Sequence, residues 1–368
     1  MDALRAAAQS LPSTATGQQW ISTWSDEFNT GTTDLSGWTY DLGGGGWGNQ
    51  EKETYTNSSQ NVSVSGGALH ITAIATGTGS LQTYTSGRIR TTNLFSQTYG
   101  LMEFRAKFPA GTGLWPAMWM MPKDSAYGGW PTSGEVDVFE SKGQSPSLVQ
   151  GSLHSGSSPN TQVTQTRVFS QTGLQPAGFS TGDWHTYDLQ WIPGSPNHAA
   201  TMKWWVDGIN YYTQTGGWFV PGTAGAGNLA APFDKPFYIL LNLAVGGTYV
   251  GNPSLAPGSY DMQVDYVRSY QSVFPGDANV DGKVDTLDFN ALASNFGGSG
   301  KSWRSGDFNG DGVVDTLDFN SLAANFGKQS VPDASGAALS LVPEPAGIGL
   351  LTGLSFAITR SARRRRRT

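Results

Sequence analysis

Between Trp20 and Tyr270 the hydrophobic positions recur every second residue. Met102, Phe104, Ala106 and Phe108 alternate with Glu103, Arg105 and Lys107, and Leu69, Ile71 and Ala73 alternate with His70 and Thr72. Successive side chains of a strand point to opposite faces, so these stretches predict half-buried antiparallel strands. In Trp204-Trp205-Val206-Asp207-Gly208-Ile209 an Asp-Gly pair separates two β-rich segments. That is the pattern of a two-residue hairpin, where Gly supplies positive φ. No amphipathic helix is legible in this region. Two packed sheets, a jelly-roll β-sandwich, are the economical way to bury so many one-sided strands. The expected fold class is therefore all-β, with a small α-helical module behind it.

The texture changes after Gln271. Residues 276–297 read GDANVDGKVDTLDFNALASNFG and residues 306–327 read GDFNGDGVVDTLDFNSLAANFG, identical at 17 of 22 positions. This is an internal duplication. Each copy opens with a run of oxygen-bearing side chains: Asp277, Asn279, Asp281, Asp285 and Asp288, then Asp307, Asn309, Asp311, Asp315 and Asp318, with Gly282 and Gly312 at the sixth position. That spacing is the EF-hand calcium loop, although its twelfth residue is Asp rather than the usual Glu. A helix is predicted after each loop, with Phe289, Leu292, Ala293 and Phe296 on one face and Phe319, Leu322, Ala323 and Phe326 repeating it. The pair resembles a type I dockerin, which implies two calcium ions. It also implies a cohesin-like partner contacted through Thr286-Leu287 and Thr316-Leu317. A calcium-stapled spacer without a partner is the alternative. So short a module buries little core, and calcium is expected to supply its folding energy.

Composition narrows the function. Glycine is abundant at 49 residues, aromatics make up 12% and charged residues only 14%, as in secreted β proteins joined by tight turns. The net charge of −6 hides an asymmetry: Lys328 and six arginines against Asp333 and Glu344 give +5 after Gly327, leaving −11 on residues 1–327. An acidic body argues against nucleic acid and against polyanionic substrates, and favours a neutral polysaccharide. With no cysteine there is neither a disulfide framework nor a thiolate metal site.

Against that sparse charge stands Glu135-Val136-Asp137-Val138-Phe139-Glu140. On a strand Glu135 and Asp137 share a face, and Glu140 has the wrong parity. One extra residue, a bulge at Val138 or Phe139, brings Glu140 back to the acidic face. Two glutamates so placed suit a retaining glycosidase, one attacking the anomeric carbon and one protonating the leaving oxygen, with Asp137 sharing a proton between them. Trp115, Trp119 and Trp130 lie close by in sequence. Indole faces stack on the apolar C–H faces of pyranose rings.

Residues 18–271 resemble glycoside hydrolase family 16, and within it the laminarinase-like endo-β-1,3-glucanases. The resemblance rests on Trp24-Ser25-Asp26-Glu27-Phe28, Gly46 to Glu51, Tyr84 to Arg88, the Trp115 to Trp119 run, Gly134 to Glu140, His154, Leu241 to Gly247 and Val264 to Arg268. It implies Glu135 as nucleophile, Asp137 as its assistant and Glu140 as acid/base. It also implies Asn49, Arg88, Trp115, Trp119, Trp130 and His154 along the substrate cleft, with His154 toward the leaving-group side. A structural calcium ion held by Glu27, the backbone near Gly67, and Asp265 follows from the same resemblance. The substrate implied is a β-glucan. The same acidic motif also resembles agarases, carrageenases and porphyranases, and a non-catalytic glucan-binding surface protein is the rival from another class.

The ends carry their own signals. Residues 1–17 are rich in Ala, Ser and Thr, show no secretory signal peptide, and are expected to be disordered. After a linker at 330–342, Val342-Pro343-Glu344-Pro345 leads into thirteen uncharged residues, Ala346 to Ile358, and then Arg360 and the run Arg363 to Arg367. Thirteen helical residues span roughly 20 Å, short of a roughly 30 Å bilayer core. The order resembles a PEP-CTERM sorting signal at 343–368, which implies a sorting protease at the membrane and an exported protein.

Overall fold

The computed structural model describes residues 11–14, 17–29, 35–221 and 227–329. The linker and sorting tail expected at 330–368 lie outside the described residues, as does most of the N-terminal leader. The described part of that leader is not loose. The Pro12 carbonyl accepts the Trp20 indole N–H at 2.6 Å and the Ser13 carbonyl accepts Gln190 Nε2 at 3.0 Å, so residues 11–14 lie against the sheets.

In chain order the strands are β1 (Gln19–Asp26), β2 (Thr39–Tyr40), β3 (Glu53–Tyr55), β4 (Val62–Ser65), β5 (Ala68–Thr76), β6 (Thr83–Ser86), β7 (Arg88–Arg90), β8 (Gly100–Lys107) and β9 (Leu114–Pro122). They continue with β10 (Glu135–Glu140), β11 (Gln150–Gly156), β12 (Gln162–Val168), β13 (His185–Ile192), β14 (Thr201–Val206), β15 (Ile209–Thr215), β16 (Phe237–Val245) and β17 (Gly258–Val273). Ten form one sheet along the path β15-β14-β13-β8-β17-β5-β6-β3, with β1 on β17 and β4 on β5. Seven form the other, in the order β12-β11-β10-β9-β16-β7-β2.

The alternating stretches fold as strands. Met102, Phe104 and Ala106 of β8 and Leu69, Ile71 and Ala73 of β5 are buried in the core between the sheets. Asp207 (φ 48°) and Gly208 (φ 74°) make the two-residue turn between β14 and β15. Phe139 of β10 stacks on Phe108 at 4.0 Å and meets Tyr187 edge-on at 4.7 Å, which ties the two sheets together behind the acidic motif.

Behind β17 the duplicated segment forms two helices, α1 (Thr286–Asn295) and α2 (Thr316–Asn325), each preceded by its loop. Asp285 and Asp315 are their N-caps, reciprocated by Asp288 and Asp318 in a capping box. The expected apolar face is corrected in part. Leu292 and Leu322 are buried with Ala278, Val284, Phe308 and Val314, but Phe289, Phe296, Phe319 and Phe326 are exposed. The loops themselves supply most of this small core, so each helix needs only a narrow stripe against it. Phe289 and Phe319 meet each other edge-on at 6.5 Å instead.

Candidate active site

The acidic motif occupies β10, an interior strand of the seven-stranded sheet between β11 and β9. Toward β9 its register runs Val136 to Met120 and Asp137 to Trp119, then jumps to Phe139 opposite Met118. Val138 is the extra residue. This bulge restores Glu140 to the face of Glu135 and Asp137, so that Glu140 stands opposite Ala117. Across the core the Trp204 indole donates to the Asp137 carbonyl at 2.8 Å, supplying a hydrogen bond beside the disturbed ladder. Gly151 leaves room for that indole, since a Cβ there would come within 2.6 Å of it. At the other end, Gly134 has φ +87° and a Cβ there would lie 2.7 Å from Phe233.

Strand parity builds the rest of the cleft. Trp115, Ala117, Trp119 and Met121 face it from β9, Asn242 and Ala244 from β16, Arg88 from β7, and Gln150 and His154 from β11. The cavity is about 560 Å³, and the nine residues singled out from the sequence as catalytic or substrate-binding all line it. Asn49 enters from the loop before β3 and gives its amide to Glu51 at 3.2 Å. Trp130, 41% exposed, stands at the rim and donates its indole N–H to Glu135. Trp115 donates to Glu140 at 3.0 Å, and Trp119 to Asn242 at 2.7 Å. The Arg88 guanidinium lies between the Trp47 and Trp119 rings at 4.8 and 4.9 Å, held by Asp41 at 2.9 Å. One face of Trp119 is thus already covered.

Electrostatics follow from packing three carboxyl groups in one buried row. Burial, then the charge of Asp137, pushes Glu135 up to about 8; His154 and the Trp130 donor pull it back. Glu140 is pushed to about 8 by burial and by repulsion from both Asp137 and Glu135 before His154 and Trp115 counter it. His154 Nε2 lies 3.0 Å from Asp137 Oδ2. Burial lowers the imidazole, but the bond to Asp137 and the three negative neighbours outweigh it and raise it to about 9. The resemblance implied His154 toward the leaving group, yet its strand register puts it opposite Glu135.

Sequence reasoning missed Trp47, Glu51, Gln150, Asn242 and Tyr249, which also line the cleft. Asn242 was detectable as the lone polar residue in the apolar run of β16.

The other expected metal residues divide. Glu27 gives both oxygens to Arg268 at 2.7 and 2.8 Å, and Asp265 accepts from Arg105 at 2.7 Å, so each carboxylate is already neutralised by an arginine. Gly67 borders a groove with Asp265 but not with Glu27. In the repeats, Asp277 accepts from the N–H groups of Asp281 and Gly282, Asn279 from Asp281, and Asp288 from Ala278, Asn279 and Asp285. The second loop repeats the pattern at Asp307, Asn309 and Asp318, with Asp311 accepting from Val313. An all-oxygen set with Asp277, Asp288, Asp307 and Asp318 buried suits a hard cation such as calcium. Asp285 and Asp315 instead turn to the helix N-termini.

A β-sandwich with a bulged acidic strand under a tryptophan-lined cleft is the architecture of a glycosidase. Residues 49–267 match glycosyl hydrolases family 16, and the chain belongs to that family. Residues 275–327 match the dockerin type I domain. The chain is 41% identical over 266 residues to a glucan endo-1,3-beta-glucosidase A1 of Niallia circulans, covering 67% of this chain and 37% of that protein. It is 38% identical to a glucan endo-1,3-beta-glucosidase of Cryptopygus antarcticus, over 68% of this chain and 92% of that one. The solved endo-beta-1,3-glucanase of Pyrococcus furiosus superposes with a TM-score of 0.57 at 35% identity, over 70% of this chain and 97% of the other.

Proposed function

We propose that the protein cleaves β-1,3-glucan of the laminarin type at internal linkages and with retention of configuration. The observation that carries this reading is the Val138 bulge, which sets Glu135, Asp137 and Glu140 on one face of a single strand. Glu135 attacks the anomeric carbon while Glu140 protonates the departing glycosidic oxygen; Glu140 then takes a proton from the water that releases the glycosyl-enzyme. Both glutamates have an indole donor and feel the imidazolium; the difference that supports this division is that Glu140 is raised by both Asp137 and Glu135, whereas Glu135 is raised by Asp137 alone. Asp137 links Glu135 to His154. Trp130 and Trp115 offer indole surface to the glucose units on either side.

A sulfated galactan is the second polymer to weigh. The cleft bears Glu51, Glu135, Asp137 and Glu140 against Arg88 and His154, and Arg88 is already paired with Asp41. Such a field disfavours a polyanion.

The protein acts outside the cell or at its surface. The repeats bind two calcium ions through Asp277, Asn279, Asp281 and Asp288 and their counterparts Asp307, Asn309, Asp311 and Asp318. They dock a cohesin-like partner, and a membrane protease reads the tail. Reducing-sugar release from laminarin, mixed-linkage β-glucan, agarose and κ-carrageenan, with wild type beside Glu135→Gln, tests the central reading. Release from laminarin that is lost in the variant supports it. Release only from a galactan replaces the substrate, and binding without release moves the protein to the glucan-binding class.

A further inference from the structure

Behind the cleft edge, a chain of hydrogen bonds runs in one direction. Trp119 donates to Asn242 at 2.7 Å, Asn242 Nδ2 to the Tyr55 hydroxyl at 3.2 Å, and Tyr55 to Glu51 Oε2 at 3.3 Å. From the other side Asn49 donates to Glu51 Oε1 at 3.2 Å. Glu51 is thus the acceptor shared by Tyr55 and Asn49. Beside it sits Glu53, 1% exposed, with Oε2 accepting the Val245 N–H at 2.7 Å. Its Oε1 is buried without any donor, yet the carboxyl lies within hydrogen-bond reach of Glu51. Two acceptor-only groups in such contact cannot be stable; one of them carries a proton.

We infer that Glu53 is kept as the neutral acid and donates its proton to the Glu51 carboxylate, so that the pair holds one negative charge and fixes Asn49, Tyr55 and Asn242 along the substrate cleft. Glu53 is then a positioning residue, two steps removed from any sugar. It binds nothing itself. The inference rests on the substrate reading above only for its binding test.

The surroundings are consistent with one charge, not two. Burial, then contact with Glu51, pushes Glu53 up to about 8. Among the described residues the cation bearing on this cluster is Arg88 of β7, and Asp41 already holds it at 2.9 Å. On β6 the register partner of Glu53 is Tyr84, whose hydroxyl goes to Gln82. From β16 come only Asn242 and the Val245 N–H, and Lys52 is exposed, its stem lying beside Gly246. Among the described residues nothing else nearby takes up a second negative charge. When the proton leaves to solvent, two carboxylates repel, and Asn49 and Tyr55 lose their fixed acceptor.

Two measurements decide the matter. Calorimetric binding of laminari-oligosaccharides to the full chain carrying Glu135→Gln is followed from pH 6 to pH 9.5, with and without Glu53→Gln. An amide at 53 donates to Glu51 and accepts from Val245 without a titrating proton. Affinity should fall roughly tenfold across that range in the first protein, the size expected for one unit of coupling, and much less in the second. Equal pH dependence in both overturns the inference. Independently of any sugar, the melting temperature of wild type relative to Glu53→Gln is measured across pH. A raised folded-state carboxyl makes wild type lose ground as pH climbs from the unfolded value near 4.3 to about 8, with no further change above. A flat difference overturns the inference as well. If Glu53→Gln does not fold, Glu51→Gln should shrink the same loss to the part that burial alone causes, because Glu53 then faces a donor, and an unchanged loss overturns the inference. Absence of oligosaccharide binding at pH 6 would refute the substrate reading alone, leaving the melting series to judge the shared proton.

Discussion

His154 Nε2 lies 3.0 Å from Asp137 Oδ2, and its backbone is paired in register with Glu135. The imidazole is raised to about 9 chiefly because its bond to Asp137 and the negative charges around it overcome the cost of burial. It is a cation at neutral pH, and it is one of the few groups that lower Glu135. In His154→Gln, Glu135 keeps its proton to higher pH, so the acid limb of kcat/KM against pH should move upward and the plateau should fall. Stability follows with a definite sign. The folded-state value exceeds the unfolded value of 6.5, so the contribution is complete below about pH 6.5 and is lost as pH rises through about 9. Melting of wild type against His154→Gln across that window reads it.

Trp204 and Asp137 lie on opposite sheets, and the 2.8 Å bond from the indole to the Asp137 carbonyl supports the bulge from inside the core. Trp204→Phe leaves a buried carbonyl without its donor, a cost of about 1–3 kcal/mol before any packing loss. Chemical denaturation should show at least that deficit. Because the bulge sets the parity of Glu140, kcat of the folded fraction should drop with little change in KM.

The loop that carries Trp130 is latched by Tyr127. Tyr127 donates to Asp234 at 2.7–2.8 Å, its own N–H goes to Ser133 Oγ at 3.0 Å, and Asn228 also holds Asp234 at 2.7 Å. Tyr127→Phe should cost about 1 kcal/mol in stability. Its kinetic effect should be a KM several times higher at nearly constant kcat, since Trp130 is a rim surface for sugar.

Calcium removal should separate the two parts of the chain. The repeats bury Asp277, Asp288, Asp307 and Asp318 around a core of six side chains, too little to stand without a cation. EGTA should abolish the helical circular-dichroism signal and open residues 274–329 to protease. In the sandwich Glu27 and Asp265 are paired with Arg268 and Arg105, so laminarin hydrolysis should stay within about twofold.

Much of this was legible in the chain because strands have period two. The alternation at Met102 to Phe108 and Leu69 to Ala73 sets which faces turn inward, and the broken parity between Asp137 and Glu140 calls for a bulge. Contacts made across strands were not legible. Nothing in the sequence tells that Arg88 fills the space between Trp47 and Trp119, or that Glu53 and Glu51 face each other. The helix faces failed for a related reason. Phe289 and Phe319 have core-like spacing, but the loop residues Val284, Phe308 and Val314 had already occupied the small core.

The double displacement proposed for Glu135 and Glu140 is tested most directly by proton NMR of the first product formed from a laminari-oligosaccharide, recorded before mutarotation. Two displacements at one carbon deliver the β-anomer, which is the expected product. An initial α-anomer would mean a single displacement by water and would contradict it.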